Sequence, residues 1–308
     1  MKKKVLAVLL GGCMVAGLLA GCGGGGDDAK TSDDGSKDSG KSGGYNFEVV
    51  VKSFQSTYWQ AAKQGIDTAA KELNVKCNTT GPNAESDIAD QVTMLNNAIN
   101  KAPDGIALAA CDQSSVIKSL QTALDKKIPV VCFDTGVADA PEGSVYATVV
   151  TNNEEAGGIA AEKMYEALKD QIADAKDAVR IGEVNQDATG QNIQQRGGGF
   201  IDKMIELLQA DGKTVAVKGN EFYVNAAKGA DAEEADADVV IQVAVPAQTT
   251  VELCSTEAQA ILSQENCIAI FGSNQTAAEG VLAANANLNV LGSDASRRGV
   301  DIFSYPSS

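Results

Sequence analysis

The chain is predicted to fold as an α/β protein of two doubly wound, parallel-sheet domains. Three observations predict it. Short, continuous apolar runs bounded by turn residues recur along the sequence, as strands buried on both faces do. Between them lie stretches whose apolar residues follow helical spacing. The part from residue 45 onward is 264 residues long, more than one core of this type usually holds, so two domains are expected.

The elements follow in order. Residues 47–51 form a short apolar run, read as the first strand. A helix is expected over 58–73, with Trp59, Ala62, Ile66, Ala69, Ala70 and Leu73 on one side. A weaker strand over 75–79 precedes a helix over 86–100, carried by Ile88, Val92, Leu95, Ala98 and Ile99. Residues 104–108 read as a buried strand, 114–127 as a helix and 128–133 as another strand. The period then repeats: strand 144–150, helix 154–168, strand 179–184, helix 193–208. Further strand candidates are 214–217, 239–245, 268–271 and 288–291. The first crossing between domains is expected at Thr151-Asn152-Asn153. That divides the globular part into 45–151 and 152–291, and leaves 292–308 as an atypical tail that reads as no recognisable element.

Ahead of these lies an N-terminal segment of another kind. Lys2, Lys3 and Lys4 precede an apolar run of 16 residues, 5–20, which closes on Leu19-Ala20-Gly21-Cys22. The run is short for the ~20 residues of a membrane-spanning helix. The order of charge, apolar core and small residues resembles a bacterial lipoprotein signal, 1–21, removed on export. That resemblance implies lipidation of Cys22, with palmitate among its acyl chains. Two or more chains, at about 0.8 kcal/mol per buried CH2, anchor a protein stably. The expected location is the extracytoplasmic face of the cell membrane. Residues 22–44 hold eight Gly, five Asp, four Ser and three Lys. Such a segment cannot bury enough apolar surface to offset its ordering entropy and reads as a flexible tether.

Composition excludes several functions. The chain has 41 acidic and 25 basic residues; loss of the signal removes three lysines and no acid, moving the net charge from -16 to -19. Nucleic-acid binding rests on basic side chains neutralising phosphates, so no nucleic-acid partner is expected. The sequence contains no histidine. This removes Ser-His-Asp and Cys-His catalysis in their usual forms and the commonest metal ligand. No metal and no cofactor is expected. Apart from Cys13 in the signal and Cys22, five cysteines remain: Cys77, Cys111, Cys132, Cys254 and Cys267. An odd number set in apolar runs fits buried free thiols better than a disulfide framework.

Several phrases carry a family resemblance: Asp104-Gly105-Ile106; Ile128-Pro129-Val130-Val131-Cys132-Phe133-Asp134; Asn152-Asn153 before a helix with Gly157-Gly158; Arg196-Gly197-Gly198-Gly199-Phe200; and Gly272-Ser273-Asn274. In this order, behind a lipoprotein signal, they resemble the type I periplasmic sugar-binding proteins that serve ABC importers. The resemblance implies two α/β domains joined by three crossings, with ligand held in the cleft. The implied function is a substrate-binding lipoprotein that binds a monosaccharide or similar solute by domain closure, performs no chemistry, and hands it to membrane permease subunits as a monomer. A nucleoside- or autoinducer-binding receptor of the same fold is the alternative; a lipid-anchored enzyme on this scaffold is a more remote one.

The resemblance also implies site residues. Sugars present hydroxyls at the ring edge and C–H groups on its faces, so a site needs aromatic plates and planar polar side chains. Tyr58 and Trp59 stand where the family carries an aromatic pair, and Gln55 and Ser56 precede them. Asp134 matches the family's ligand aspartate, although Thr135 follows where the family often has arginine. Gln194 aligns with the family's ligand arginine, while Arg196 and Asn192 are neighbouring candidates. Asn274 matches an asparagine that bonds a sugar hydroxyl and also suits a helix N-cap. Phe222 and Tyr223, in an insertion over 220–238, are offered as an aromatic wall. The expected ligand set is therefore Ser56, Tyr58, Trp59, Asp134, Gln194 and Asn274. After Asn274 the family continues through a Gly-x-Asp strand end and a last helix back into the first domain. Here Leu291-Gly292-Ser293-Asp294 comes early, and the chain is expected to be truncated relative to the family, leaving a strand edge uncovered.

Overall fold

The computed structural model describes residues 44–288 and 301–304. The signal, Cys22, the tether up to residue 43, and residues 289–291 of one expected strand lie outside the described residues.

The first sheet is built from β1 (Asn46–Val50), β2 (Lys76–Thr80), β3 (Gly105–Leu108), β4 (Val130–Phe133) and β5 (Val145–Val149), in the order β2-β1-β3-β4-β5. All its pairings are parallel. Its connecting helices are α1 (Thr57–Glu72), α2 (Ile88–Asn100) and α3 (Ile117–Asp125). On one face Val49, Val51 and Ala109 pack with Trp59 of α1; on the other Val50, Ile106, Leu108 and Val130 pack with Leu95, Ile99 and Leu120 of α2 and α3. Burial on both faces is what continuous apolar runs require.

The chain leaves β5 and enters α4 (Asn153–Asp174), which packs into the second sheet's core. That sheet takes β6 (Val179–Val184), β7 (Val215–Gly219), β8 (Val239–Ala244), β9 (Cys267–Gly272) and β10 (Asp301–Ser304), in the order β10-β9-β6-β8-β7, again all parallel. Its helices are α4, α5 (Gln191–Ala210), α6 (Glu221–Ala226), α7 (Val251–Leu262) and α8 (Gln275–Leu288). α4 and α5 cover one face, where Phe200 stacks on Phe271 at 4.4 Å between centroids. α7 and α8 cover the other through Cys254, Ala258, Ile261, Ala277 and Val281.

Side-chain caps start most of these helices where the sequence changes period. Ser56 accepts from Trp59 N–H, Asn152 from Glu155 N–H, Asn220 from Phe222 N–H, Thr250 from Leu253 N–H and Asn274 from Ala277 N–H. Four of the five cysteines are buried, Cys77 is half-buried, and all are free thiols. Burial pushes the Cys132 and Cys267 thiols up to about 11 and Cys254 to about 12, which suppresses thiolate chemistry. Among the described residues no helix is long and apolar enough to cross a membrane.

Four expectations are corrected. Leu288, placed in a strand by sequence, ends α8. The tail 292–308, read as without recognisable structure, supplies β10 as an edge of the second sheet. The α3 helix is shorter than 114–127, because Asp112 accepts from Ser114 Oγ and Ser115 N–H and holds those residues in a turn. The insertion 220–238 does not offer an aromatic wall. Tyr223 of α6 is fully buried in the second core with its hydroxyl donating to the Asp187 carbonyl at 3.1 Å, and Phe222 lies outside the cavity lining.

Candidate functional site

The carboxyl ends of the parallel strands are where open α/β sheets leave a crevice. Here those of both sheets line one cavity of about 610 Å3. Lys52 follows β1, Glu85 follows β2, Asp134 follows β4 and Val150 follows β5; Gln186 follows β6 and Asn274 follows β9. The N-terminal ends of α1, α5 and α8, together with the α1 cap, add Ser56, Tyr58, Trp59, Asn192, Arg196 and Gln275. The two walls also touch at the rim. Gln275 Nε2 donates to Thr57 Oγ1 at 2.7 Å, and Ser86 N–H to Thr249 Oγ1 at 3.1 Å.

Asp134 stands at the centre. Its backbone adopts φ +63°, a left-handed conformation that asparagine and aspartate tolerate better than other side chains but that still costs energy. The surroundings hold it there: its N–H donates to the Val149 carbonyl at 3.0 Å. Oδ1 accepts from the Tyr58 hydroxyl at 2.8 Å, and Oδ2 accepts from Asn192 Nδ2 at 3.2 Å. Burial and the adjoining Asp134 carboxylate both push the Tyr58 hydroxyl above its ordinary value, so it remains a donor.

A charged cluster lies behind Asp134. Lys52 is 1% exposed, with Nζ 3.4 Å from Asp134 Oδ2 and 4.0 Å from Glu85 Oε2, and it donates to Asn192 Oδ1 at 3.0 Å. Burial works against its charge, but the Asp134, Glu85 and Asp187 carboxylates outweigh burial and hold the ammonium above its usual range. Glu85 is raised by burial, partly offset by Lys52 and by the Trp59 hydrogen bond. It accepts from Trp59 Nε1 on one oxygen and Gln186 Nε2 on the other, both at 2.7 Å. Gln186 Oε1 in turn accepts from Asn274 Nδ2 at 2.5 Å. Arg196 donates to the Ser273 carbonyl at 2.8 Å and to Asn153 Oδ1 at 2.5 Å.

Of the residues expected from sequence, Ser56, Tyr58, Trp59, Asp134 and Asn274 come together in this lining. Tyr58 is 48% exposed and presents its ring to the cavity, whereas Trp59 is buried edge-on beneath it, at 4.9 Å between centroids. Gln194 is not brought to the cavity. Its amide donates to the Ala188 carbonyl and its oxygen accepts from Gln113 Nε2, while Asn192 and Arg196 on either side do line the cavity. Gln55 lies outside the lining too, its N–H donating to Ser53 Oγ. Sequence reasoning missed Lys52, Glu85 and Gln186. The available signal was positional: each is a charged or amide side chain in the loop just past a strand's carboxyl end.

The comparisons agree with this fold. A model of the periplasmic binding protein domain matches residues 47–302. The ABC transporter periplasmic-binding protein YphF of Escherichia coli is 27% identical over 143 residues, 46% of this chain and 42% of that protein. The D-allose-binding periplasmic protein of Escherichia coli is 27% identical over 126 residues, 40% of each chain. The matched part is thus about two fifths of the length of these curated relatives. Among solved structures, an ABC transporter, LacI family transcriptional regulator from Brachyspira murdochii is 29% identical with a TM-score of 0.63, covering 85% of this chain and 76% of that one. A solute-binding protein of an ABC transporter from Agrobacterium vitis, with bound D-fucose, is 24% identical with a TM-score of 0.62, covering 79% and 72%, and shares the fold. With two parallel α/β sheets facing one cleft and a family match over most of its length, the chain belongs to the type I periplasmic binding protein family.

Proposed function

We propose that the protein is the solute-binding lipoprotein of an ABC importer, and that it takes a monosaccharide or similar neutral polyol between lobes 45–151 and 152 onward. The observation that carries the reading is the chemistry of the cleft. Three carboxylates, four amides, an ammonium, a guanidinium and one open aromatic ring, drawn from both sheets, line a space of about 610 Å3. Asp134 can accept from vicinal hydroxyls, and hydrogen bonds to an ionised group are roughly twice as strong as neutral ones. Tyr58 offers a ring for a sugar's C–H face. Asn192, Arg196 and Asn274 face Asp134 from the second sheet's side, so ligand contacts on both sides favour closure. None of the five cysteines lines the cavity and the chain has no histidine, which supports holding a solute over transforming one.

Cys22, lipidated at the extracytoplasmic face, would tether the molecule beside its permease subunits, with which it works as a monomer. Residues 22–44 number 23 and, if flexible, span roughly 25–30 Å, at about 5–6 Å times the square root of length.

A thermal-shift panel of monosaccharides and nucleosides tests the reading, since a ligand that binds only the folded state raises its stability by mass action. At least one monosaccharide should raise the melting temperature saturably. A response to nucleosides alone would replace the sugar by a nucleoside, and no response from either class would remove the proposal.

A further inference from the structure

Glu183 is out of place in the core that holds it. On β6 it shares a face with Val179 and Ile181, and it is fully buried. An aliphatic residue would fill that position without the cost of desolvating a carboxyl. Oε1 accepts from Asn185 Nδ2 at 2.7 Å, and Asn185 is fully buried too. The other oxygen of each group, Glu183 Oε2 and Asn185 Oδ1, has no hydrogen-bond partner among the described residues. Gly197 of α5 closes the space beside them. A Cβ there would lie 2.6 Å from Glu183 Oε1 and from Asn185 Nδ2, and 2.8 Å from Asn185 Oδ1. The titratable and charged groups around the pair are Tyr223 of α6, Asp187 and Arg196 of α5, and each is engaged elsewhere. Tyr223 donates its hydroxyl to the Asp187 carbonyl, and Asp187 Oδ1 accepts from Thr189 and Gly190 N–H. Arg196 donates to the Ser273 carbonyl and Asn153 Oδ1. Two orphan acceptors, on two groups already joined by one hydrogen bond, lack a single proton. Burial favours that proton by holding the Glu183 carboxyl well above its usual range.

Resting on the reading of the cleft as a solute site, we propose that Glu183 is a positioning residue: a neutral carboxylic acid whose Oε2–H donates to Asn185 Oδ1, closing a two-bond ring that sets the loop carrying Gln186. That loop joins β6 to α5. Gln186 stands in the cavity lining and its Oε1 accepts from Asn274 Nδ2, while α5 brings Asn192 and Arg196 to the same cavity. Two bonds fix the plane of the Asn185 amide where one would let it turn. The chain therefore leaves β6 in a single direction, with Gln186 aimed at the ligand. A residue that merely filled the core would leave the cleft indifferent to the side chain at 183.

Two measurements on the full-length protein test this. The infrared difference spectrum of wild type against Glu183→Gln at pH 7 should contain the carbonyl stretch of a protonated carboxylic acid. Carboxylate bands in its place overturn the proposal. Calorimetric titration with the sugar found by the panel then reads the positioning. Glu183→Gln keeps an acceptor and a donor in the same places, so it should bind as wild type does. Glu183→Leu and Asn185→Ala each break the ring and should weaken binding about 10-fold, the effect of one lost hydrogen bond. If Glu183→Leu fails to fold, Asn185→Ala decides alone. Wild-type affinity in the ring-breaking variants, or a Glu183→Gln protein as weak as they are, overturns the positioning role. Failure of the sugar reading shows separately, as a wild-type protein that binds no panel sugar whatever its infrared spectrum.

Discussion

Asp134 was legible in the sequence because it ends an apolar strand, where a carboxylate has no packing role. Its partners were less so. Gln194 and Asn192 differ by two positions on α5, and at 3.6 residues per turn that places them on nearly opposite faces. A register error of two residues therefore exchanges a cavity residue for one that bonds the Ala188 carbonyl. Trp59 was legible as an aromatic but not as the ring whose indole N–H is committed to Glu85, since that partner is 26 residues away. Asp134→Ala should weaken sugar binding by about 1.5–3 kcal/mol, measured by calorimetry, and unchanged affinity would remove Asp134 from the site. Glu183 allows a second prediction. It is fully buried on β6; Oε1 accepts from Asn185 Nδ2 at 2.7 Å, while Glu183 Oε2 and Asn185 Oδ1 have no hydrogen-bond partner among the described residues. Burial raises its carboxyl well above the usual value of 4.5, outweighing the Asn185 bond. A raised carboxyl contributes stability that is fully present below the unfolded value and is lost as pH rises towards the folded one. Glu183→Gln should therefore raise the melting temperature at pH 8 relative to wild type and flatten its fall between pH 5 and pH 8. Equal pH slopes in the two proteins would show Glu183 ionised.

At the scale of elements, strands buried on both faces were the easiest to read, and β6 is found at the expected 179–184. Elements with little periodicity were not. α6 has six residues, too few for a helical repeat to show, and β10 has four. α7 did carry a signal, with Cys254, Ala258, Ile261 and Leu262 at helical spacing behind the Thr250 cap. The glycines of α4 and α5 carried one as well, and the structure explains it. A Cβ on Gly157 would collide with the Arg196 carbonyl oxygen, and one on Gly199 with that of Glu154. The two helices meet backbone to backbone, and α5 is the helix that brings Asn192 and Arg196 to the cleft. Gly157→Ala should cost about 1–3 kcal/mol of unfolding free energy, typical of an overpacked contact, because backbone cannot swing aside as a side chain can. A urea midpoint equal to wild type would show that α4 and α5 separate without cost.

On the scale of the whole molecule, alternation of strand and helix was enough to predict two parallel sheets, since parallel strands need crossover helices on their faces. Which loops meet across the cleft was not predictable, because Lys52 and Asn192 are 140 residues apart and converge only when both sheets are built. The proposed membrane attachment belongs to this scale too. Cys22→Ala should leave the protein unlipidated and move it to the soluble fraction of cells; retention in the membrane at wild-type level would contradict the anchor. The central claim, a sugar held in the Asp134 cleft, is tested most directly through Trp59. It is the only tryptophan, buried in the cavity floor and bonded to Glu85, so a ligand settling over Tyr58 must alter its surroundings. Titration with a panel of monosaccharides should give at least one saturable change in its emission, lost in Asp134→Ala. A panel that leaves the emission unchanged, or a saturable change that persists undiminished in Asp134→Ala, would contradict the account.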